Sequence, residues 1–372
     1  MTDQNRSAAI AGAVLRIDLD AIAENWRILR DRTAPGECGG VVKANAYGLG
    51  IDRVAPALYE AGCRSFFVAQ IGEGIELRAI LPDARIVVLN GLMPDTAPVF
   101  LEHRLIPALN SLDQVSKWAR LGRMRGGLEG FVHIDTGMSR LGLDEGEART
   151  LVSETDRLDG ISPVWLMTHL ACADEPGHPT TAMQGEAFAA LAAALPVCRT
   201  CFANSSGIFL GEKFSSDLAR PGVALYGANP TPGEPNPMKQ VVELSAKILQ
   251  IRQIDTPRPV GYGSRFHAQA GTVLATAAVG YADGYLRSLS GKAVGFIDGV
   301  EAPLAGRVSM DTIIFDVTEI PPENRVIGAG IELIGPNQPI DDVAARAGTI
   351  PYEILTSLGD RYARVYHRSG RA

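Results

Sequence analysis

The hydrophobic pattern of the first 230 residues alternates between two kinds of segment. Short, almost wholly apolar runs recur, and stretches with helical spacing such as "IDRVAPALYEAG" and "GEAFAALAAALPV" separate most of them. Runs of this length and composition predict strands that are buried on both faces. The predicted strands are Gly40–Ala46, Ser65–Gln70, Ile86–Asn90, Leu105–Asn110, Phe131–Asp135, Val164–Leu170, Cys201–Ser205 and Val223–Gly227. Eight strands that alternate with helices predict a closed, TIM-like (β/α)8 barrel.

The segments on either side of these strands predict the rest of the fold. An initial strand, "VLRIDL", leads into a helix with Asp20 as N-cap and with Ile22, Trp26 and Leu29 on one face. After the proline-rich stretch "TPGEPNP", short runs such as "AKILQIRQI" and "DTIIFDVT" indicate an all-β domain. We therefore expect a barrel over residues 1–240, whose first strand could pair with the second domain, and a β domain over residues 241–372.

Composition and charge exclude several classes of protein. The 372 residues are 46% hydrophobic and 21% charged, which is typical of a globular protein. A net charge of −7 argues against nucleic acid or an anionic membrane surface as partner. No apolar run is long enough to span a bilayer, and Ala8–Leu15 lacks a convincing signal-peptide pattern. We expect a cytoplasmic protein.

The cysteines give no sign of a disulfide framework or a metal site. Their number is odd, at five, and the pair Cys198–Cys201 forms a lone "CRTC" without a second ligand cluster that could complete a zinc site. We expect no metal and read these cysteines as buried residues beside a strand. A redox-active dithiol stays open as the alternative.

Polar residues gather at the predicted carboxyl ends of the strands, where barrel enzymes place their reactive groups. These residues are Lys43, Asp135 followed by Arg140, His169, Asn204 with Ser205, and Arg220 with Gly222. Each alone has an ordinary explanation, since a strand-end lysine often extends to solvent. Together they indicate a phosphorylated cofactor that is bound covalently through the lysine. A pocket of mixed polar groups for another ligand is the alternative.

The motif around the lysine resembles a known family. The stretch "VVKANAYGLG" at Val41–Gly50 is similar to the pyridoxal-phosphate signature of alanine racemases. Eight further stretches resemble that family's landmarks: "VHIDTGMSRLG", "THLACADE", "ANSSG", "RPGVALYG", "VGYGSRF", "VGYADGYLR", "GRVSMD" and "PYEILTSLGDRYARVY". They follow the family's order and cover nearly the whole chain.

The resemblance implies a cofactor and the residues that bind it. Lys43 is expected to form a Schiff base with pyridoxal 5'-phosphate, and the substrate amine then displaces it to give an external aldimine. His169 matches a residue beside the pyridine ring, and Arg220 matches an arginine that faces the ring nitrogen. The positions that match phosphate ligands are Tyr47, Ser205, Gly222, Val223 and Tyr352.

The resemblance also implies a two-base racemisation of L-alanine and D-alanine. Lys43 would serve one face of Cα, and Tyr262 would serve the other from the second subunit of a homodimer. Arg140 and Met310 match positions that bind the substrate carboxylate. The positions that match the entrance of the site are Tyr281, Tyr352, Asp174 and Arg307.

Two positions depart from the family pattern. His133 stands where many relatives have a lysine that becomes carbamylated and steadies the arginine matched by Arg140. Histidine cannot form that carbamate, so we hypothesise that neutral His133 accepts a hydrogen bond, or that an anion or water fills the gap. Leu49 replaces a histidine, which we interpret as a packing change.

Three other functions compete with alanine racemisation. The first is racemisation of other amino acids such as serine or lysine. The second is a non-enzymatic pyridoxal-phosphate-binding protein, which would lack the β domain with its tyrosine. The third is a decarboxylase on a related architecture, which would need different C-terminal motifs. The sequence does not decide whether the reaction supplies D-alanine for peptidoglycan or serves alanine catabolism.

Overall fold

A parallel barrel forms the first part of the molecule. The computed structural model describes residues 8–195 and 198–369, and within them nine short segments make one parallel sheet. These are β2 Glu37–Cys38, β3 Gly40–Val41, β4 Ser65–Val68, β5 Arg85–Val88, β6 Ile106–Leu109, β7 Leu128–His133, β8 Ile161–Met167, β9 Arg199–Cys201 and β10 Leu218–Ala219. Segments β2 and β3 are halves of one strand, because only Gly39 separates them, and they pair with β10 and β4 respectively. The ring therefore has eight positions, and the predicted barrel is confirmed.

Several predicted strand ends were wrong. The run Val223–Gly227 is not the eighth strand, because Val223–Tyr226 is a buried 3-10 helix and the strand is Leu218–Ala219. An apolar run buried in a short helix has the same composition as a buried strand, so periodicity cannot separate the two. The strand predicted over Gly40–Ala46 ends at Val41, since the chain turns at Lys43.

Helices lie between most of the barrel strands. They are α1 Leu19–Thr33, α2 Ile51–Ala61, α3 Ile71–Ile80, α4 Ala97–Glu102, α5 Leu112–Arg123, α6 Glu145–Ser153 and α7 Pro179–Ala194. The prediction that Asp20 caps α1 was wrong, because the Asp18 side chain accepts the hydrogen bond from the Ala21 N–H at 2.9 Å. Asp20 instead accepts a hydrogen bond from the N–H of Ser369. The predicted apolar face of α1 is confirmed, with Ile22, Trp26 and Leu29 buried.

A second, mostly antiparallel sheet forms the other part of the molecule. Its strands are β1 Ala13–Asp18, β11 Val242–Gln253, β14 Val273–Ala277, β15 Val294–Ile297, β16 Val300–Pro303, β17 Ile313–Asp316, β18 Gly330–Ile334 and β19 Ala363–His367. Strand β1 lies between β11 and β19, antiparallel to β11 and parallel to β19. Strands β12 Arg258–Val260 and β13 Phe266–Ala268 form a separate hairpin. The pattern missed two short helices, α8 Ile340–Ala347 and α9 Pro351–Ser357.

Aromatic residues fill part of the barrel interior. The rings of Phe131 and Trp165 are nearly parallel with centroids 5.2 Å apart, and Phe67 meets Phe131 edge-on at 5.9 Å. All three side chains are buried. This packing makes the barrel a solid core and leaves its strand ends to carry polar chemistry.

The described residues contain neither a membrane-spanning helix nor a cluster of metal ligands. None of the helices there is both long and apolar enough to cross a membrane. No group of three or more His, Cys, Asp or Glu side chains there could hold a metal ion. The five cysteines are free thiols, and Cys201 is buried in β9.

A charged network closes the amino-terminal end of the barrel. The Arg85 guanidinium donates to Glu37 at 2.9 Å and to the Ser65 hydroxyl at 2.8 Å, and its Nε lies 3.2 Å from Glu129. Glu129 also accepts from the Trp165 indole N–H at 2.8 Å. Arg85 thus neutralises carboxylates from two strands and links four positions of the barrel.

We predict that Arg85→Met destabilises the fold without changing the strand-end chemistry. The variant leaves Glu37 and Glu129 unpaired in a half-buried site, which should cost about 1–3 kcal/mol of unfolding free energy. Urea unfolding checks this. Arg149→Met, which breaks an exposed pair with Glu145, is the control and should cost less than about 0.5 kcal/mol. Equal stability of the two variants would contradict the role of the network.

Candidate active site

Lys43 lies in an unusual turn directly after β3. The segment Lys43–Tyr47 makes one left-handed helical turn, with φ between 52° and 55° at the four residues Ala44–Tyr47. None of these four residues is glycine, and L-residues in this conformation cost about 1 kcal/mol or more each. The Asn45 side chain contributes to the turn by accepting the Ile51 N–H at the start of α2, at 2.7 Å.

The side chain of Lys43 borders a cavity of about 470 Å³. The other lining residues are Ala44, Tyr47, Thr349, Ile350, Tyr352, Glu353 and Thr356, which come from the same turn and from the region of α9. Burial lowers the pKa of the Lys43 ammonium, and the positive charges of Arg140 and Arg220 lower it further, whereas Glu73 opposes them. A lysine with a lowered pKa offers a larger fraction of neutral, nucleophilic amine.

Hydroxyl and amide groups converge beside this turn. The Ser205 hydroxyl accepts hydrogen bonds from the N–H groups of Gly222 at 2.9 Å and Ala224 at 3.3 Å. A Cβ at position 222 would lie 2.3 Å from the Tyr47 hydroxyl oxygen, so only glycine permits this approach. Tyr47 is buried, stacks on Tyr226 with centroids 4.6 Å apart, and has its pKa raised by burial.

Arg220 lies at the carboxyl ends of the barrel strands, where it contacts residues at the ends of β8 and β9. Its buried guanidinium donates to the carbonyl oxygens of Cys201 at 2.9 Å and Thr168 at 2.6 Å, with no carboxylate partner among the described residues. The same guanidinium also lies 3.4 Å from His169 Nδ1. Arginine only donates, so His169 Nδ1 is the acceptor. Burial and the charge of Arg220 hold the pKa of His169 well below its ordinary value.

His133 is held in one neutral form at the end of β7. Its Nδ1 lies 2.8 Å from the Asn110 side-chain oxygen, while the Asn110 amide donates to the carbonyls of Leu89 and Ala108. The Nδ1–H therefore donates and Nε2 is left as an acceptor. Burial, then the charge of Arg220, lowers the pKa of His133 to about 4.

Arg140, the neighbouring predicted site residue, is exposed. Within residues 8–195 and 198–369 its guanidinium takes part in no hydrogen bond or ion pair. Its charge still acts on Lys43, His133 and His169, lowering the pKa of each. An unpaired guanidinium close to these groups is suited to binding an anionic ligand.

Three predicted site residues lie outside the cavity that Lys43 lines. Tyr262, in the turn between β12 and β13, has 73% of its surface exposed, and Met310 has 52% exposed. Tyr281 is exposed as well. By contrast, Tyr352 lines the cavity, and burial raises the pKa of its hydroxyl to about 12. The structure therefore brings Lys43 and Tyr352 together and leaves the other three exposed in turns and loops of the second part of the molecule.

The loops that carry Tyr281 and Met310 are joined to each other. The N–H groups of Tyr281 and Ala282 donate to the carbonyls of Ser309 and Met310, both at 3.0 Å. Asp283 accepts from the Gly280 N–H at 2.8 Å. Arg361 then bridges Asp283 and Asp311, each at 2.8 Å, so the two loops form one unit.

Two residues of the site were not predicted from the sequence. Glu73 accepts the Ala44 N–H at 2.6 Å, and Asn110 holds His133. Glu73 stands three residues after Gln70 in a capping-box pattern, which predicts a helix start but not this contact across the chain. Asn110 is the last residue of the predicted strand Leu105–Asn110, and a polar residue at such a strand end is a signal of the functional end of a barrel.

The donor set fits an anionic, carbonyl-bearing ligand. A desolvated amine, a glycine turn with hydroxyl groups beside it, and permanent positive charge at Arg220 and Arg140 lie at one end of the barrel. Such an arrangement can hold a phosphate, form a covalent bond to an aldehyde and bind a carboxylate.

Two family models and several relatives match this chain. The model for the alanine racemase N-terminal domain matches residues 17–230, and that for the C-terminal domain matches residues 241–366. The chain is 52% identical to the alanine racemase of Rhodospirillum rubrum over 362 residues, which covers 96% of each protein. It is 49% identical to a catabolic alanine racemase of Mesorhizobium japonicum, covering 97% of this chain and 94% of that protein.

A solved structure supports the same relationship. The alanine racemase of Bartonella henselae with covalently bound pyridoxal phosphate superposes with a TM-score of 0.92 at 44% identity, covering 96% of this chain and 100% of that one. Fold, family models and relatives agree along nearly the full length. The chain therefore belongs to the alanine racemase family.

Proposed function

We propose that this protein interconverts L-alanine and D-alanine with pyridoxal 5'-phosphate as cofactor, as a homodimer with shared active sites. The observation that carries this is the desolvated Lys43 amine beside the glycine turn at Gly222. The covalently bound cofactor of the Bartonella henselae relative supports it. The product would supply peptidoglycan or serve catabolism, and the description of the Mesorhizobium japonicum relative as catabolic supports the second role.

The residues present fit this cofactor. When bound, pyridoxal phosphate supplies an aldehyde for amines and a ring that withdraws electrons from Cα. Lys43 would hold its aldehyde carbon, and His169 and Arg220 would border the ring. The phosphate would be held by Tyr47, Ser205, Gly222, Val223 and Tyr352. Arg220 has no anionic partner among the described residues, and a guanidinium only donates hydrogen bonds, so it would donate to the ring nitrogen and leave it unprotonated.

Proton transfer at Cα needs a base on each face. Lys43 would move the proton on one face, since its lowered pKa leaves a larger fraction of the amine in the neutral form that can accept a proton. Tyr262 would move the proton on the other. A single chain exposes Tyr262 away from the cavity, so we propose that a second copy delivers it. The Arg307 guanidinium lies against the Tyr262–Ser264 turn, at 3.4 Å from a Cβ placed on Gly263.

Substrate binding would use groups from both chains. Arg140 would pair with the substrate carboxylate from the barrel side. The Met310 N–H would donate to the same carboxylate from the partner, and within the described part of the chain this N–H has no acceptor. Tyr281 would narrow the entrance, which favours the small side chain of alanine. The exposed Tyr262, Tyr281 and Met310, with Ile350 and Tyr352 at the cavity, supply apolar surface for such a dimer.

We further propose that the two domains divide near residue 240, as barrel residues 1–240 and β residues 241–372. The gap between the two family matches, from residue 230 to residue 241, supports this. The pairing of β1 with β11 and β19 means that this strand belongs to the second sheet, although it precedes the barrel strands in the sequence. A cytoplasmic location stays a prediction.

We predict that Lys43→Ala abolishes covalent cofactor binding. Borohydride reduction of the purified wild-type protein should attach one cofactor to the peptide that contains Lys43, and racemase activity should fall at least about 10³-fold in the variant. Lys117→Ala, which removes an exposed lysine paired with Asp113, should behave as wild type. Modification of a different lysine in the wild type would contradict the assignment.

We predict that Tyr262→Phe separates the two half-reactions. Racemisation should fall about 10²- to 10⁴-fold because one face of Cα loses its base. Exchange of Cα–H in deuterated water should persist for the enantiomer that Lys43 deprotonates. Tyr59→Phe, on the outside of the barrel in α2, is the matched control. Equal and small losses of exchange from both enantiomers would count against Tyr262.

We propose that neutral His133 accepts a hydrogen bond from Arg140 at Nε2. We predict that the lowered pKa of His133 makes the free energy of unfolding depend on pH. Its pKa is about 4 in the folded chain and near 6.5 when unfolded, so the unfolded chain binds the proton more tightly. Folding stability should therefore fall as pH drops from 6.5 to 4, by up to about 3 kcal/mol from this group.

Unfolding of wild type and His133→Gln across this pH range tests the prediction. The variant should lose less stability than wild type, whereas His267→Gln, at an exposed histidine, should follow wild type. Parallel curves for all three proteins would mean that His133 takes up its proton in the folded state.

A further inference from the structure

Glu73 joins helix α3 to the turn that carries Lys43. One carboxylate oxygen accepts the Ala44 N–H at 2.6 Å. The other oxygen accepts the N–H groups of Ala69 at 2.7 Å and Gln70 at 3.0 Å, at the start of α3. A half-buried carboxylate with three backbone donors is fixed in place on both oxygens.

Glu73 contacts the turn at the peptide bond between Lys43 and Ala44. The Ala44 N–H belongs to the peptide that joins Lys43 to Ala44, so its direction sets the backbone of Lys43. Ala44 is also the first of the four left-handed residues. Because that conformation is costly for alanine, the surrounding structure must hold it, and backbone strain of this kind is often maintained at functional sites.

Glu73 also balances the charges around Lys43. Arg140 and Arg220 disfavour the ammonium form, and Glu73 favours it. The neighbouring His169 and His133 have lowered pKa values and add no stable positive charge at neutral pH. The carboxylate therefore moderates a strongly positive environment as well as holding the backbone.

We propose that Glu73 is a positioning residue for the racemisation reaction, because it fixes the Lys43–Ala44 peptide and thereby aims the lysine amine into the cavity. The inference rests on the proposed function. It assigns Glu73 no contact with substrate or cofactor. Its effect passes through the backbone of the turn, so loss of Glu73 should reduce turnover more than substrate binding.

The substitution Glu73→Gln tests the positioning role, because it keeps the length of the side chain and removes its charge. The amide keeps one accepting oxygen and replaces the other by an NH2 group, which cannot accept from backbone N–H groups. We expect kcat for alanine to fall about 10- to 100-fold, since small misplacement of a catalytic group has effects of this size. KM should stay within about twofold of wild type. Amide exchange in the peptide covering residues 44–48, followed by mass spectrometry, should become at least about tenfold faster.

Two further variants sharpen the test. Glu76→Gln, at an exposed glutamate on the same helix, should match wild type in kcat, KM and exchange. Glu73→Asp keeps the charge but is shorter by one methylene, so it should also lose turnover, and it serves if Glu73→Gln fails to fold. A wild-type kcat in both Glu73 variants would overturn the proposal, as would a rise in KM that accounts for the whole loss, or unchanged exchange at residues 44–48.

Failure of the proposed function gives a different result. If wild type and Glu76→Gln do not racemise alanine, the function itself is wrong. The exchange measurement then still reports whether Glu73 holds the turn. If both racemise alanine and the Glu73 variants match them, the function stands and the positioning role of Glu73 fails.

Discussion

A desolvated lysine amine at the carboxyl end of the barrel is the constraint on which this site depends. Burial and two arginines make the ammonium of Lys43 unfavourable, and a left-handed turn of non-glycine residues holds its backbone. Such a position is costly in a folded chain, because it combines strained dihedral angles with reduced hydration of a charge. Glu73 offsets part of that cost, because its carboxylate favours the ammonium form and accepts the Ala44 N–H of the turn.

The other polar groups of the site are held by hydrogen bonds to backbone carbonyls or to a side-chain amide. Carbonyl oxygens of neighbouring strands hold Arg220, and Asn110 holds His133 in a neutral form. The site thus keeps two histidines uncharged and two arginines charged. This separation lets permanent positive charge face anionic groups while the amine of Lys43 is free to react. The charged network at the opposite end of the barrel, around Arg85, is remote from this chemistry.

The sequence predicts the parts of this arrangement that are local. Apolar runs separated by helices give the barrel, and contiguous motifs give Lys43, Tyr47 and Arg220, because each motif contains the residues that it positions. Val223–Tyr226 shows the limit, since a buried 3-10 helix and a buried strand look alike in composition. Glu73 could not be predicted, because its contact with Ala44 spans 29 positions and depends on how α3 meets the turn.

Under the proposed function a complete site needs a second chain, because one chain provides the Lys43 cavity while its Tyr262 is exposed elsewhere. The most direct measurement mixes Lys43→Ala and Tyr262→Phe chains under conditions that allow subunits to exchange. If the two residues act from different chains, mixed dimers contain one intact site each, and random pairing should restore about a quarter of wild-type activity. Activity that stays at the sum of the two separate variants would contradict a site shared between protomers.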